Sequence, residues 1–130
     1  MKIKSFVALI GVLIVGAIAS AVAVSLLVLG VGATQNSQTL MNSHLSRSLS
    51  DACAEEALEK IKDSDFIGTS SLDLTGGKTC QYIVSNTGGT SREIRASSTF
   101  DNNTRKVKVT CTRDTNTNIT INSWQEIADF

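Results

Sequence analysis

Apolar and polar positions divide this chain into three stretches with different periods. From Phe6 to Gly32 the sequence reads FVALIGVLIVGAIASAVAVSLLVLGVG, 27 residues without a charge. A helix built from them has no polar face, which suits an apolar surrounding. At about 1.5 Å per residue it is roughly 40 Å long, more than the hydrocarbon core of a bilayer. After Gly32 the sequence turns polar but keeps a helical period. Leu45, Leu49, Cys53, Ala57 and Ile61 recur every four residues, and Ala54 and Leu58 widen the stripe. Glu55, Glu59 and Lys62 project from the other side, and the run ACAEEALEKIK has high helix propensity. The pattern predicts one nearly continuous helix from Phe6 to about Lys62, ended by Phe66-Ile67-Gly68 and the Thr-Ser-Ser that follows.

The third stretch alternates with a period of two in four segments. Lys78–Ser85 places Cys80, Tyr82 and Val84 on one face. Arg92–Phe100 turns Ile94, Ala96 and Phe100 inward and Glu93, Arg95 and Ser97 outward. Thr104–Arg113 sets Val107, Val109 and Cys111 against Lys106, Lys108 and Thr110, and a last segment carries Ile119 and Ile121. Turn clusters separate them at 86–90, 101–103 and 114–118. Such short links favour an antiparallel meander, and one apolar face means packing on a single partner layer. The amphipathic helix is that partner, because its stripe needs cover. The fold class is α+β: a long N-terminal helix packed on a small antiparallel sheet. The corresponding division is a basic leader at 1–5, an apolar helix at 6–32, its amphipathic extension at 33–63 and a β domain at 64–130.

Charge and cysteine content sharpen this picture. Lysine and arginine number 12, as do aspartate and glutamate, for a formal net charge of zero. No basic stripe marks a nucleic-acid surface. Lys2 and Lys4 precede the apolar run, so by the positive-inside rule the N-terminus stays cytoplasmic and the rest lies outside. A cleaved secretory signal ending at Ala19-Ser20-Ala21 is the competing reading. The apolar run continues to Leu29, longer than a signal core of about 7–15 residues, which favours an anchor. Outside the cell a disulfide persists. The three cysteines allow one bridge. Cys53–Cys80, joining helix to strand, is favoured; Cys80–Cys111 across the sheet stays open, since sequence alone does not fix connectivity.

Reactive constellations are sparse. His44 is the single histidine, so any triad must use it, and it reads as a solvated helix residue. Glu55, Glu56 and Glu59 read as a solvent face. Asp63, Asp65, Gly68 and Asp73 lack the remaining positions of a calcium loop. No catalytic, cofactor or metal site is predicted, and the chain reads as non-enzymatic. Trp124 is either the cap of a core edge or a contact to a neighbouring subunit. Asn102-Asn-Thr and Asn118-Ile-Thr match a glycosylation pattern that a chain rich in Ser, Thr and Asn produces by composition.

The order of anchor, amphipathic extension and antiparallel sheet resembles a type IV pilin or pseudopilin. Lys4-Ser5-Phe6-Val7-Ala8-Leu9-Ile10 resembles a prepilin processing site. The resemblance implies a cut between Ser5 and Phe6 by a prepilin peptidase, and N-methylation of Phe6. Ser5 stands where most members have glycine, and Ile10 where most have a glutamate that neutralises a neighbour's amino terminus. The missing glutamate is a feature shared with some minor pilins, which makes Ile10 a candidate subunit contact. Asp51-Ala-Cys-Ala-Glu-Glu-Ala-Leu-Glu-Lys-Ile and Thr79-Cys80-Gln-Tyr-Ile-Val resemble a minor-pilin-like group in which those two cysteines pair. Arg105-Lys-Val-Lys-Val and Ile121-Asn-Ser-Trp-Gln-Glu-Ile are similar to that group's last strands. The implied function is a structural subunit of a surface filament or secretion apparatus. Its partners would be other pilin subunits through Phe6–Gly32, and the lipid bilayer before assembly. The alternative is a single-pass anchored binding module outside any filament.

Overall fold

The computed structural model describes residues 2–130. Its elements are α1 (Lys2–Ser64), β1 (Gly68–Leu74), β2 (Lys78–Gly88), β3 (Ser91–Phe100), β4 (Asn103–Arg113) and β5 (Ile119–Ile127). The strands form one antiparallel sheet in the order β1-β2-β3-β4-β5, a meander in which every strand pairs with its sequence neighbours. The α+β fold read from the sequence is the fold observed. Contacts divide the chain into two units, Met1–Thr39 and Leu40–Phe130.

The first unit is α1 alone. With no proline in the chain, nothing of that kind interrupts its hydrogen-bond ladder. Every described residue as far as Met41 is exposed. The leader expected at 1–5 begins at Met1, outside the described residues; Lys2–Ser5 belong to the helix.

The second unit is the rest of α1 lying on the sheet. Here the helix buries Ser46, Leu49, Ser50, Cys53, Ala54, Ala57 and Ile61. Apart from Leu49 and Ile61 these side chains are small, which brings the helix backbone close to the strands. Facing them are Cys80, Tyr82 and Val84 of β2, Ile94 and Ala96 of β3, and Val107, Val109 and Cys111 of β4, all at most 1% exposed. Burying a side chain such as Ile61 contributes roughly 1.5–3 kcal/mol. No buried residue comes from β1 or β5, so the helix covers the middle of the sheet and leaves both flanks thinly covered.

Cys53 and Cys80 form the disulfide, with Cα atoms 6.1 Å apart, and Cys111 is a buried free thiol. The register explains why the other pairing does not form. Cys80 lies opposite Ser98, which lies opposite Arg105, so Cys111 is six residues farther along β4. That is about 20 Å at roughly 3.3 Å per residue, far beyond the ~7 Å Cα limit of a disulfide.

Two features depart from the expected pattern. The sheet has five strands, not four: Gly68–Leu74, read as the end of the helix and a loop, pairs along β2 from Gly68↔Val84 to Leu74↔Lys78. It is an edge strand whose only large apolar residues are Leu72 and Leu74, so alternation leaves little trace in GTSSLDL. The second departure is in the helix stripe, where polar Ser46 and Ser50 lie in the core beside the apolar positions. Both hydroxyls are satisfied. Ser46 Oγ donates to the Asn103 carbonyl at 2.7 Å, Ser98 Oγ donates to the Ser46 carbonyl, and Ser50 Oγ donates to the Arg47 carbonyl at 2.9 Å.

Candidate functional site

In the first unit the chemistry is that of a surface. Phe6 is 61% and Ile10 40% exposed, and large aliphatic side chains surround the helix on every side as far as Val31. The hydroxyls inside this stretch are silent. Ser20 Oγ donates to the Ala17 carbonyl, Ser25 Oγ to the Ala21 carbonyl and Thr34 Oγ1 to the Gly30 carbonyl, at 2.8–2.9 Å. A helix whose backbone and side-chain polar groups are all paired internally is what hydrocarbon tolerates. By length and composition α1 is able to cross a membrane. Ser5 and Phe6 are consecutive residues of its first turns.

In the second unit an apolar groove opens on the flank beside β5. One extra residue in β5 builds it. Thr110 pairs with Ser123 but Cys111 pairs with Ile121, leaving Asn122 as a bulge. Ile119 and Ile121 are two apart, while Trp124 is out of phase with them. The bulge shifts the phase and puts all three on the helix side of the sheet. Leu58, Glu59 and Lys62 of α1 face Ile119 and Ile121 across a groove of about 380 Å³. Ile121 stays 49% and Trp124 38% exposed. Trp124 donates its indole N–H to Asp51 Oδ1 at 3.2 Å. Beyond it Glu126 binds Arg105 at 2.8 Å and Arg47 at 3.5 Å. These polar contacts bridge α1 and β5 at one end and leave the Ile119–Ile121 end open.

A polar cluster closes the C-terminal end of α1. Asp65 adopts a left-handed conformation (φ 51°) and donates its N–H to the Ile61 carbonyl, ending the helix as αL caps do. A carboxylate at a helix C-terminus opposes the helix dipole. Arg92 compensates with a bidentate pair, Nε to Oδ1 at 3.1 Å and Nη2 to Oδ2 at 2.9 Å, and hydrogen bonding to Arg92 holds the Asp65 carboxyl below its ordinary value. Arg113 Nη2 also caps this end by donating to the Lys62 carbonyl at 3.2 Å. With Asp114 these groups line a recess of only about 110 Å³, and Arg113 Nε is buried with no hydrogen-bond partner among the described residues.

On the outer face Glu93 accepts from Arg95 at 2.6 Å and lies 3.1 Å from Lys108. Burial opposes its charge, but bonds from Arg95 and Lys108 outweigh it and hold the carboxyl low. The Cys111 thiol is pushed up by burial, which keeps it protonated.

His44 is exposed, and the predicted disulfide is the one pair of sequence-nominated residues brought together. Ser5, Phe6 and Ile10 lie in the first unit and Trp124 in the second. Sequence reading missed Arg92, which alternation places inward; the signal was an arginine in phase with Ile94 and Ala96. Among the described residues no group of three or more His, Cys, Asp or Glu side chains is placed to hold a metal ion. No protein-family model, curated protein or solved structure matches the chain.

Proposed function

We propose that this chain is a membrane-anchored structural subunit of a pilin-like surface filament or its assembly apparatus, minor rather than major, and that it acts without catalysis. The observation that carries the reading is α1 itself. Its uncharged stretch Phe6–Gly32 is exposed on all sides, follows Lys2 and Lys4, and continues without a break into the helix on which the disulfide-tied sheet is built. An isolated helix with so much exposed apolar surface requires lipid or like helices around it. The same segment serves in turn as bilayer anchor and as polymer core. The partners are then other subunits through Phe6–Gly32, with a prepilin peptidase acting between Ser5 and Phe6. Ile10, where the family's glutamate would stand, suits a subunit with no neighbouring amino terminus to neutralise, because an unpaired carboxylate in lipid is costly.

The test is intact-mass analysis of the protein recovered from native membranes and from sheared surface material. The expected mass lacks the first five residues and carries one added methyl group. A full-length mass confined to membranes would replace the filament subunit with a single-pass anchored binding module.

A further inference from the structure

In an anchored subunit α1 has two kinds of support and a stretch with neither. The uncharged run at 6–32 is roughly 40 Å long and already exceeds a bilayer core of ~30 Å, so hydrocarbon reaches no farther than Gly32. The sheet takes over at Asn42, whose Nδ2 donates to Asp101 Oδ2 at 2.6 Å, and at Ser43, whose Oγ accepts from Arg105. Between them lie residues 33–41, ATQNSQTLM, about 14 Å of helix in which every side chain is exposed.

Nothing local makes up for the missing cover. Thr34, Asn36, Ser37 and Thr39 are weak helix formers, because β-branching costs rotamer freedom and short polar side chains compete for the backbone. Thr34 Oγ1 and Thr39 Oγ1 donate back to the Gly30 and Gln35 carbonyls at 2.9 and 3.0 Å, a bond that slightly destabilises and bends helices. No Lys, Arg, Asp or Glu occurs between Lys4 and Arg47, so the stretch has no ion pair along its surface. The boundary between the two units, Thr39 to Leu40, falls inside it.

We propose that residues 33–41 are a hinge in the membrane-bound subunit, a length of α1 that melts and re-forms while the anchor and the disulfide-tied unit stay folded. The proposal rests on the membrane-anchored reading above. Helix on both sides supplies the nucleus, so turns are lost and regained without the cost of starting a new helix. The second unit is then tethered rather than fixed, and searches for neighbouring subunits while the anchor stays in lipid.

Hydrogen exchange on the full chain in phosphatidylcholine vesicles, read by mass spectrometry of peptic fragments, tests this. Amides of 33–41 should exchange at least about a hundredfold faster than those of 10–28 and 49–61. A Thr34→Ala/Asn36→Ala/Ser37→Ala/Thr39→Ala variant, altered only at exposed positions, should slow exchange in 33–41 about tenfold and leave 49–61 unchanged. Exchange in 33–41 of the parent as slow as in 49–61 would overturn the hinge and leave the anchor in place. Unchanged exchange there in the variant would also overturn it, since opening would not then follow helix propensity. Fast exchange across 10–28 as well would remove the anchored reading, and the hinge with it.

Discussion

As far as Met41 every described residue of α1 is exposed; from Asn42 onward the same helix buries one stripe against a sheet. The side chains differ accordingly. The first part is built from Val, Leu and Ile on all sides, whereas the buried stripe of the second contains Ser46, Ser50, Cys53, Ala54 and Ala57. Large apolar groups stand where no protein covers them, and small ones where the strands approach. Apolarity alone therefore does not locate the protein core in this chain. The core lies where apolar positions are confined to a stripe and the side chains are small enough for close packing.

Moving one charge between the two regions gives the largest contrast. Ile61→Arg places an unpaired charge at a fully buried position and should abolish cooperative unfolding of the second unit, read by Trp124 fluorescence in detergent. Leu13→Arg, at an exposed position, should leave that unfolding midpoint unchanged. It should instead lower retention in membranes, with an insertion cost of about 2.5–3.5 kcal/mol. Equal effects of the two substitutions on unfolding would erase the distinction between the regions.

Opening the Cys53–Cys80 bridge should act on the second unit alone. Its ends are 27 residues apart, and a loop of that size gives about 3–4 kcal/mol on the chain-entropy model. Denaturant unfolding of a Cys53→Ala/Cys80→Ala variant should show that loss, with the helicity of the first unit retained.

The smallest and sharpest contrast lies between two buried hydroxyls. Ser46 Oγ donates to the Asn103 carbonyl, whereas the Tyr82 hydroxyl is buried with no hydrogen-bond partner among the described residues. Ser46→Ala should cost about 1–2 kcal/mol, because it leaves buried groups unpaired. Tyr82→Phe should fall within about 0.5 kcal/mol of the parent or stabilise it, since it removes an unpaired polar atom and keeps the ring. Thermal unfolding of the two variants side by side checks the pair. A larger loss from Tyr82→Phe would mean that its hydroxyl is bonded in solution.

Much of the architecture was legible in the residues. Four of the strands followed from alternation, clearest in Val107, Val109 and Cys111 against Lys106, Lys108 and Thr110 and shortest in Ile119 and Ile121. The helix–sheet pairing followed from one apolar stripe and one apolar face. The first strand escaped because GTSSLDL sits at an edge, where one flank has no strand to pack beside and polar side chains are tolerated. The groove escaped for a different reason. Ile119, Ile121 and Trp124 are out of phase in sequence, and only the extra residue at Asn122, visible in the register with β4, puts them on one side.

By itself the sequence determined where the chain is apolar on every side, where it is amphipathic and where it alternates, because these are properties of local periodicity. It also determined that at most one disulfide forms within the chain, because there are three cysteines. The tertiary structure decided which cysteine stays free, since strand register places Cys111 about 20 Å along the sheet from Cys80. It likewise decided which polar side chains enter the core. Ser46 and Arg92 are buried because Asn103 and Asp65, distant in sequence, provide their acceptors. Periodicity is written in neighbouring residues; the pairing of a buried donor with its acceptor depends on which distant strands the fold brings together.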